Sequence, residues 1–536
     1  MQYKMKNYIF TLMLIVVGVI TYAQRPDFMF LYPFEEEKGY AGADVLEVGS
    51  TDYPDSHFYL LPVCNLTADH PIFADMAVSP AKVLKVSDEG ELVGELVVGE
   101  EGRRSVIYKL YPSPDDPTTF LAVGKIRDIA GLYDVPMLAK FDIDMNILWL
   151  NEIPLDEVYQ KYFNYARVLM DSHGDIVFCT APIPDDWQTN SNTNTHLLYL
   201  RLSATGEVLA MLEFPQNTNW IDRAQSDLFE YNDGSGNYGH IIMTGNAAKM
   251  LRLSRDFDIV SQFDMPTYVG VPFGATIPSV SFSFHDFTEA VTFHRNDGTF
   301  IVGTTVRESI LKPNGMTDHT DSGTLVIMKV EEEGDVIPVS YSGHDNDSLD
   351  LLAFNKGMDW FGDNRLYFCN YQMFSNNLNP DRPNCLVVTA TDSAANIEWQ
   401  RYYEDDGHVI KPASIVASKD GGCLVSGYRY KCDNYMDCEV FLVKFFADGT
   451  LSIPEAEGRL RPYTFCPNPV QGMLKFCFSP DVEPASIEIF DMQGRIVHRQ
   501  GDSFENVNMS QLPPGLYTLC ITFKSGMTFS DRVVKE

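Results

Sequence analysis

Lys419-Asp-Gly-Gly-Cys-Leu-Val-Ser-Gly427 sets a polar, glycine-rich turn directly before a short apolar strand. Upstream, Ala413-Ser-Ile-Val-Ala-Ser418 is a second apolar run that leads into that turn. Downstream, Phe441-Leu-Val-Lys-Phe445 passes through Asp448-Gly449 into Thr450-Leu451. Apolar runs this short, bounded by Gly and Asp, read as strands because they are too brief for a buried helix. Four antiparallel strands, A to D, make one unit.

The unit recurs. Strand B appears as Phe58-Tyr-Leu-Leu61, Thr119-Phe-Leu-Ala-Val-Gly124, Asp175-Ile-Val-Phe-Cys179, His240-Ile-Ile-Met-Thr-Gly245, Thr299-Phe-Ile-Val-Gly303, Arg365-Leu-Tyr-Phe-Cys369 and Gly422-Cys-Leu-Val-Ser-Gly427. A C strand, a polar turn and a D strand follow each time, as in Val83-Leu-Lys-Val86 before Asp88-Glu-Gly90 or Leu138-Ala-Lys-Phe141 before Asp144-Met-Asn146. Repeats of about sixty residues, each with four strands, predict an all-β chain whose residues 24–453 form a seven-bladed β-propeller. Tandem β-sandwiches are the structural alternative. The region resembles the repeats of exported seven-bladed β-propeller proteins, including the Trp after the C–D turn (Trp149, Trp399). That resemblance implies a fold and no activity.

A different pattern begins after a linker at 454–464. Pro467-Asn-Pro469 marks a domain entry, since proline fixes φ and removes backbone donors. Leu474 to Phe478 alternates, Ile487-Glu-Ile-Phe490 is a period-2 strand, and Asp491-Met-Gln-Gly-Arg495 turns the chain back. Leu512-Pro-Pro-Gly-Leu-Tyr517 repeats the device, and Val533-Val534 closes before Lys535. These strands predict a small Ig-like β-sandwich over 465–536. Pro467, Asn468, Pro469, Asp491, Gly494, Arg495, Gly515, Tyr517 and Lys535 together resemble the type A C-terminal sorting domain of type IX secretion cargo. The resemblance implies contact with the secretion machinery and removal of the domain during anchoring or release.

The other terminus agrees with export. Lys4 and Lys6 precede the apolar run Ile9 to Ile20, and Thr21-Tyr-Ala23 offers small residues for cleavage, so 1–23 reads as a signal peptide. No second run is long enough to span a membrane, so the mature protein is expected to lack a transmembrane segment. The expected route runs through the periplasm to secretion or the outer-membrane surface. Formal charge is 40 − 74 = −34. Such acidity disfavours nucleic acid and suits divalent cations. Ten cysteines in an oxidising compartment allow bridges, and Cys432 with Cys438 could close a short loop. Cys179, Cys369 and Cys423 sit inside apolar strands and read as buried thiols.

Strand alternation puts A–B and C–D turns on one rim and B–C with D–A connections on the other. The B–C connections are the long ones: Arg127 to Pro136, Pro182 to His196, Arg307 to Gly323, Met373 to Asn384 and Arg429 to Glu439. Long connections on a rigid scaffold carry binding. Candidate ligand contacts there are Asp185, Asp186, Trp187, Trp220 and His319. Asp345, Asp347 and Asp350 space oxygen donors as a calcium loop does, though without its Gly and distal Glu, and solvated loop acids are the plainer reading. No nucleophile elbow, zinc-protease motif or phosphate loop occurs. Catalytic residues are therefore unassigned, and no cofactor beyond calcium is suggested. The sequence favours a secreted or cell-surface protein that binds a protein or glycan. An extracellular hydrolase or lyase is the alternative, and a structural part of the surface layer is a third.

Overall fold

The computed structural model describes residues 30–32, 39–49, 57–66, 79–127, 134–156, 165–181, 197–214, 227–244, 247–265, 268–269, 280–281, 290–311, 317–331, 336–342, 348–362, 364–374, 384–404, 408–431, 434–449, 463–466, 470–478, 483–490, 495–504, 506–524 and 528–535. The chain divides into two compact units, Met1–Ile453 and Pro454–Glu536. Both are built of strands.

In the first unit, antiparallel groups of about four strands, numbered below as blades, follow one another among the described residues in a propeller-like arrangement, and those numbered 5 and 6 are joined into one nine-stranded sheet. Blade 1 has an inner strand in two pieces, Gly39–Gly42 and Leu46–Val48, then Phe58–Leu66, Ala81–Ser87 and Leu92–Val98. Blade 2 is Ser105–Pro112, Thr119–Arg127, Asp134–Asp142 and Ile147–Glu152. Blade 3 runs Tyr165–Met170, Ile176–Ala181, Leu197–Leu202 and Val208–Phe214, and blade 4 Leu228–Glu230, Tyr238–Thr244, Ala247–Leu253 and Ile259–Met265. Blade 5 is Ala290–His294, Phe300–Leu311, Thr317–Val330 and Val336–Ser342. Blade 6 again has a split inner strand, Ser348–Leu352 and Met358–Phe361, before Arg365–Phe374, Cys385–Asp392 and Ile397–Glu404.

Blade 7 takes three strands in sequence, His408–Ala417, Cys423–Lys431 and Asn434–Phe445. Its outer strand comes from the other end of the chain: Phe30–Tyr32 pairs with it, Phe30 opposite Leu442 and Tyr32 opposite Val440. The expected outer strand at Thr450-Leu451 lies outside the described residues. Burial favours the N-terminal strand in this place, because Phe30 and Tyr32 join a core with Tyr59, Leu61 and Val86 of blade 1 and Leu424 and Leu442 of blade 7.

The tight turns are uniform for a local reason. A residue with positive φ closes the C–D turn at Gly90, Met145, Gly206, Phe257, Ala395 and Gly449. In each, its N–H donates to the carbonyl three residues back, as from Met145 to Asp142 and from Phe257 to Ser254. In five of the six, an Asp or Ser side chain at that earlier position accepts a second backbone N–H, as Asp142 does from Asn146 at 2.8 Å; in the sixth the position is Phe446.

Aromatic and aliphatic side chains fill the seams between blades. Phe58 meets Phe120 edge-on between blades 1 and 2, Phe229 meets Phe300 between 4 and 5, and Tyr403 meets Phe445 between 6 and 7. Trp399 stacks on Phe445 and donates its indole N–H to the Ala447 carbonyl at 3.0 Å, while Trp149 is packed into the seam of blades 2 and 3. Both tryptophans, at the same repeat position, thus serve packing between blades.

The second unit has a three-stranded sheet (Tyr463–Cys466, Met473–Phe478, Asn506–Asn508) and a four-stranded sheet (Pro484–Phe490, Ile496–Gln500, Gly515–Phe523, Thr528–Lys535). They share one core of Val470, Leu474, Phe476, Ile487, Ile489, Val507, Leu519, Ile521 and Val533.

Candidate functional site

The inner strands break register at similar places, and the breaks build a polar centre. Blade 1 is interrupted at Ala43-Asp44-Val45, blade 2 bulges between Ile107 and Lys109, blade 6 is interrupted at 353–357, and blade 7 bulges between Pro412 and Ser414. A bulge frees backbone groups from the ladder. Asn355 uses two of them: its amide donates to the Ala43 carbonyl at 2.5 Å and the Tyr108 carbonyl at 2.9 Å. Arg167 of blade 3 donates to the carbonyls of Phe354 at 2.7 Å and Asn355 at 3.0 Å. The 353–357 segment thus ties blade 6 to blades 1, 2 and 3.

Strand B makes room for the bulges with glycine. A Cβ on Gly124 would stand 1.9 Å from the Val106 carbonyl oxygen, and one on Gly427 2.2 Å from that of Lys411. Turn geometry, which accounts for glycines of positive φ such as Gly90 and Gly298, does not explain these two. They sit mid-strand under a kinked neighbour.

Charges collect at the same level. Asp44 accepts from the Lys109 ammonium at 3.3 Å, the Leu110 N–H at 3.2 Å and the Ser414 hydroxyl at 2.9 Å. Lys356 pairs with Asp359 at 2.9 Å. Asp227 accepts the Thr292 N–H at 2.7 Å. Burial pushes the Asp227 carboxyl up to about 6, held back by that hydrogen bond and by Arg167, Lys109 and Lys356. Burial lowers Lys109, and Lys356 and Arg167 add to the effect against the opposing pull of Asp44. Burial alone would lower Lys356 too, but Asp359, Asp44 and Asp227 more than offset it and hold its ammonium above the usual value. Three cations and three carboxylates therefore gather within electrostatic range of one another.

Toward the ends of the strands from which B–C connections leave, this centre is floored by apolar side chains. Ala41, Cys64, Val106, Tyr428 and Cys438 are buried there, with Tyr108, Phe354 and Tyr430 half-buried against them. Phe354 lies 6.2 Å from Tyr428, and Tyr428 stacks with Tyr430 at 6.4 Å. Lys411, opposite Tyr428 in the neighbouring strand, sits over the Tyr371 ring at 4.2 Å, and burial brings its ammonium down to about 8.

Several residues singled out by sequence lie outside the described residues: Asp185, Asp186, Trp187, Trp220, Asp345, Asp347, Cys432, Pro467, Asn468, Pro469, Asp491 and Gly494. Others are placed differently from expectation. Arg307 to Gly323 is largely a long hairpin and not an open loop, with Ser309 opposite His319, so His319 belongs to a strand. Arg429 to Glu439 is likewise mostly ladder, with Arg429 opposite Glu439 and Tyr430 opposite Cys438. Asp350 is no solvated loop acid; it is 1% exposed within Ser348–Leu352. Among the described residues, no three His, Cys, Asp or Glu side chains are grouped to hold a metal. Cys369 and Cys423 are buried free thiols, as expected, both raised by burial. Cys179 is buried beside His240.

Asp44, Lys109, Arg167, Asp227, Asn355 and Lys356 went unread in the sequence. Their one legible signal was a charge inside an otherwise apolar inner strand, as in Ile107-Tyr-Lys-Leu110 and Ala166-Arg-Val168. In the second unit, Gly515 stands opposite Lys535 across a ladder, and the Tyr517 hydroxyl donates to the Pro513 carbonyl at 2.7 Å. Arg495 is exposed.

Among curated proteins no sequence matches this chain. Similar solved structures include one from a study of two prolyl endopeptidases, 13% identical, with 74% of this chain and 55% of that chain covered and a TM-score of 0.31. A DUF4221-family protein from Bacteroides vulgatus is 9% identical over 78% of this chain and 96% of its own, with a TM-score of 0.34. An acylaminoacyl peptidase from Pyrococcus horikoshii is 7% identical over 78% and 56%, with a TM-score of 0.38. This chain thus spans just over half the length of the two peptidase chains, and likeness this slight brings no activity with it. The C-terminal unit is different: residues 464–536 match the family model of the secretion system C-terminal sorting domain. The chain therefore carries a type IX sorting domain and is exported by that system to the cell surface or the extracellular space.

Proposed function

We propose that the propeller is an exported binding module that holds a protein or glycan partner on the rim carrying the B–C connections. The supporting observation is the convergence there of Tyr108, Phe354 and Tyr430, half-buried aromatics from blades 2, 6 and 7, over the charged centre. Half-buried aromatic rings offer a large apolar face with little entropy to lose, suited to stacking on a sugar ring or anchoring a side chain. The bulged inner strands and the Asn355 bridge fix those rings before a ligand arrives, which lowers the cost of binding. Asp185, Asp186, Trp187, Trp220 and His319 belong to the same rim in this reading. Entry into the periplasm by a cleaved leader at 1–23 also belongs to it.

The test is a glycan array and a pull-down from surface fractions with the mature protein, compared with Tyr108→Ala, Phe354→Ala and Tyr430→Ala. Binding lost in these variants while their unfolding midpoints stay near wild type supports the reading. Binding that survives all three overturns it. Turnover of any glycan or peptide in a parallel substrate panel would instead favour a hydrolase or lyase.

A further inference from the structure

The seam between blades 5 and 6 contains a polar group that the apolar packing does not explain. Asn370 lies in Arg365–Phe374, is 0% exposed, and neither its amide nitrogen nor its amide oxygen has a hydrogen-bond partner. A buried amide left unmatched keeps the full cost of its lost hydration, so such groups normally meet water, an ion or a ligand.

Strand register shows what surrounds it. Asn370 stands opposite Leu352, and Gln372 opposite Asp350. Directly opposed residues share a face, and so do residues two apart, so Asp350, Leu352, Asn370 and Gln372 all point the same way. Leu352 and Phe368 on that face pack against Ile301, Leu325 and Ile327 of blade 5. From blade 5, Thr305 is 2% exposed and donates its hydroxyl to the Asp350 carbonyl. Asp350 is 1% exposed and Gln372 6%. The two blades also touch backbone to backbone at this level, where Gly323 pairs in parallel with Leu349. A carboxylate and two amide oxygens are thus enclosed on one face of a single seam.

We propose that this seam binds a hard divalent cation, calcium by its donor set, through the Asp350 carboxylate and the Asn370 amide oxygen. Gln372 supplies a further oxygen, and water completes the shell. Calcium accepts carboxylate and amide oxygens in flexible arrangements of six to eight, whereas zinc selects imidazole and thiolate. The site differs from the one read in the sequence at Asp345, Asp347 and Asp350, since it uses Asp350 across the sheet and not along the loop. A cation here would pin the inner strand of blade 6, which carries Asn355 and Phe354, to blade 5. The inference is independent of which partner the rim binds.

The experiment uses the full mature protein, stripped with chelator and then titrated with calcium alone, with thermal unfolding and bound-metal analysis as readouts. The expected result is about one tightly bound calcium and a rise in unfolding midpoint of about 2 °C or more. Asn370→Leu and Asp350→Asn should lose both. Asn370→Asp, which keeps the shape and adds a carboxylate, should bind calcium more tightly, and it remains informative if the leucine variant fails to fold. No calcium bound by wild type, or calcium binding unchanged in Asp350→Asn and Asn370→Asp, overturns the proposal. An experimental structure grown in calcium that shows only water on Asn370 overturns it too.

Discussion

Tyr32, in the first described strand, stands opposite Val440 in Asn434–Phe445, the last described strand of the first unit. Its hydroxyl donates to Glu95 of blade 1 at 2.9 Å and accepts from Lys82 at 3.1 Å. One short strand therefore holds the seventh blade and the first together. A ring of repeats has no end caps, so its stability depends on the strand that closes it. Phe30, 6% exposed beside it, should be costly to truncate: Phe30→Ala is expected to lose about 3 kcal/mol. Urea unfolding of the mature protein measures this. A loss below about 1 kcal/mol would mean that the latch contributes little to closure.

Gly124 tests the account of the inner bulges. Its Cβ would meet backbone, not a side chain that could turn away, so Gly124→Ala is expected to cost about 3 kcal/mol. Gly298 provides the contrast. It closes a tight turn with φ of 83° and open space around it, so Gly298→Ala should cost only about 1 kcal/mol of backbone strain. Equal losses in the two variants would count against the bulge as the reason for glycine in strand B.

Much of this architecture was readable because strand B repeats. The seven B-strand starts read from the sequence fall within two residues of strands that begin at Phe58, Thr119, Ile176, Tyr238, Phe300, Arg365 and Cys423. Turn chemistry is local, so Asp, Ser and Gly reported it faithfully. The closing strand was not readable, since Phe30-Leu-Tyr32 is only three residues and its partner lies more than four hundred residues away. Long connections were overestimated at Arg307 to Gly323 because a two-stranded extension rich in polar residues has the composition of a loop. The charged centre escaped notice for a related reason. Five blades contribute one or two charged residues each, and only the closed ring brings Asp44, Lys109, Arg167, Asp227 and Lys356 within range of one another.

Two buried groups should pull stability in opposite directions with pH. Asp227 is raised from 3.8 to about 6, so its contribution is full below about 4 and is lost as pH rises through about 6. His240 is fully buried, its Nδ1 2.6 Å from the Tyr199 hydroxyl, and burial lowers it from 6.5 to about 3, with Arg167 adding to the effect. Its contribution is present above about 6.5 and lost as pH falls toward 3. Between pH 4 and 6 the two oppose, so wild type alone would show a muted slope. Asp227→Asn removes the first, and its stability relative to wild type should rise by on the order of 1–3 kcal/mol from pH 4 to 6.5. His240→Gln should fall relative to wild type over the same change. Asp233, lowered to about 2, acts only in more acid solution. Denaturant midpoints at four pH values decide it; curves for wild type and Asp227→Asn that stay parallel would remove Asp227 from the account.

The second unit should be separable from the first. Its described core residues, from Val470 to Val533, all belong to Pro454–Glu536. Its strands close on themselves, with Val470 donating its N–H to the Val534 carbonyl at 2.8 Å and Gly515 paired to Lys535. A chain ending at Ile453 should therefore unfold at the same midpoint as the propeller of the whole protein. It should also accumulate in the periplasm, because the part that matches the sorting family has gone. Leu519→Asp in the intact chain offers a second route to the same end, since a charge at a 0% exposed position should unfold the small sandwich alone. Fractionation of cells expressing each form, with protease resistance of the propeller as the folding control, separates the outcomes. Normal secretion of the truncated chain would show that export information lies elsewhere in the protein, whereas a protease-sensitive periplasmic product would show that the propeller needs its tail to fold.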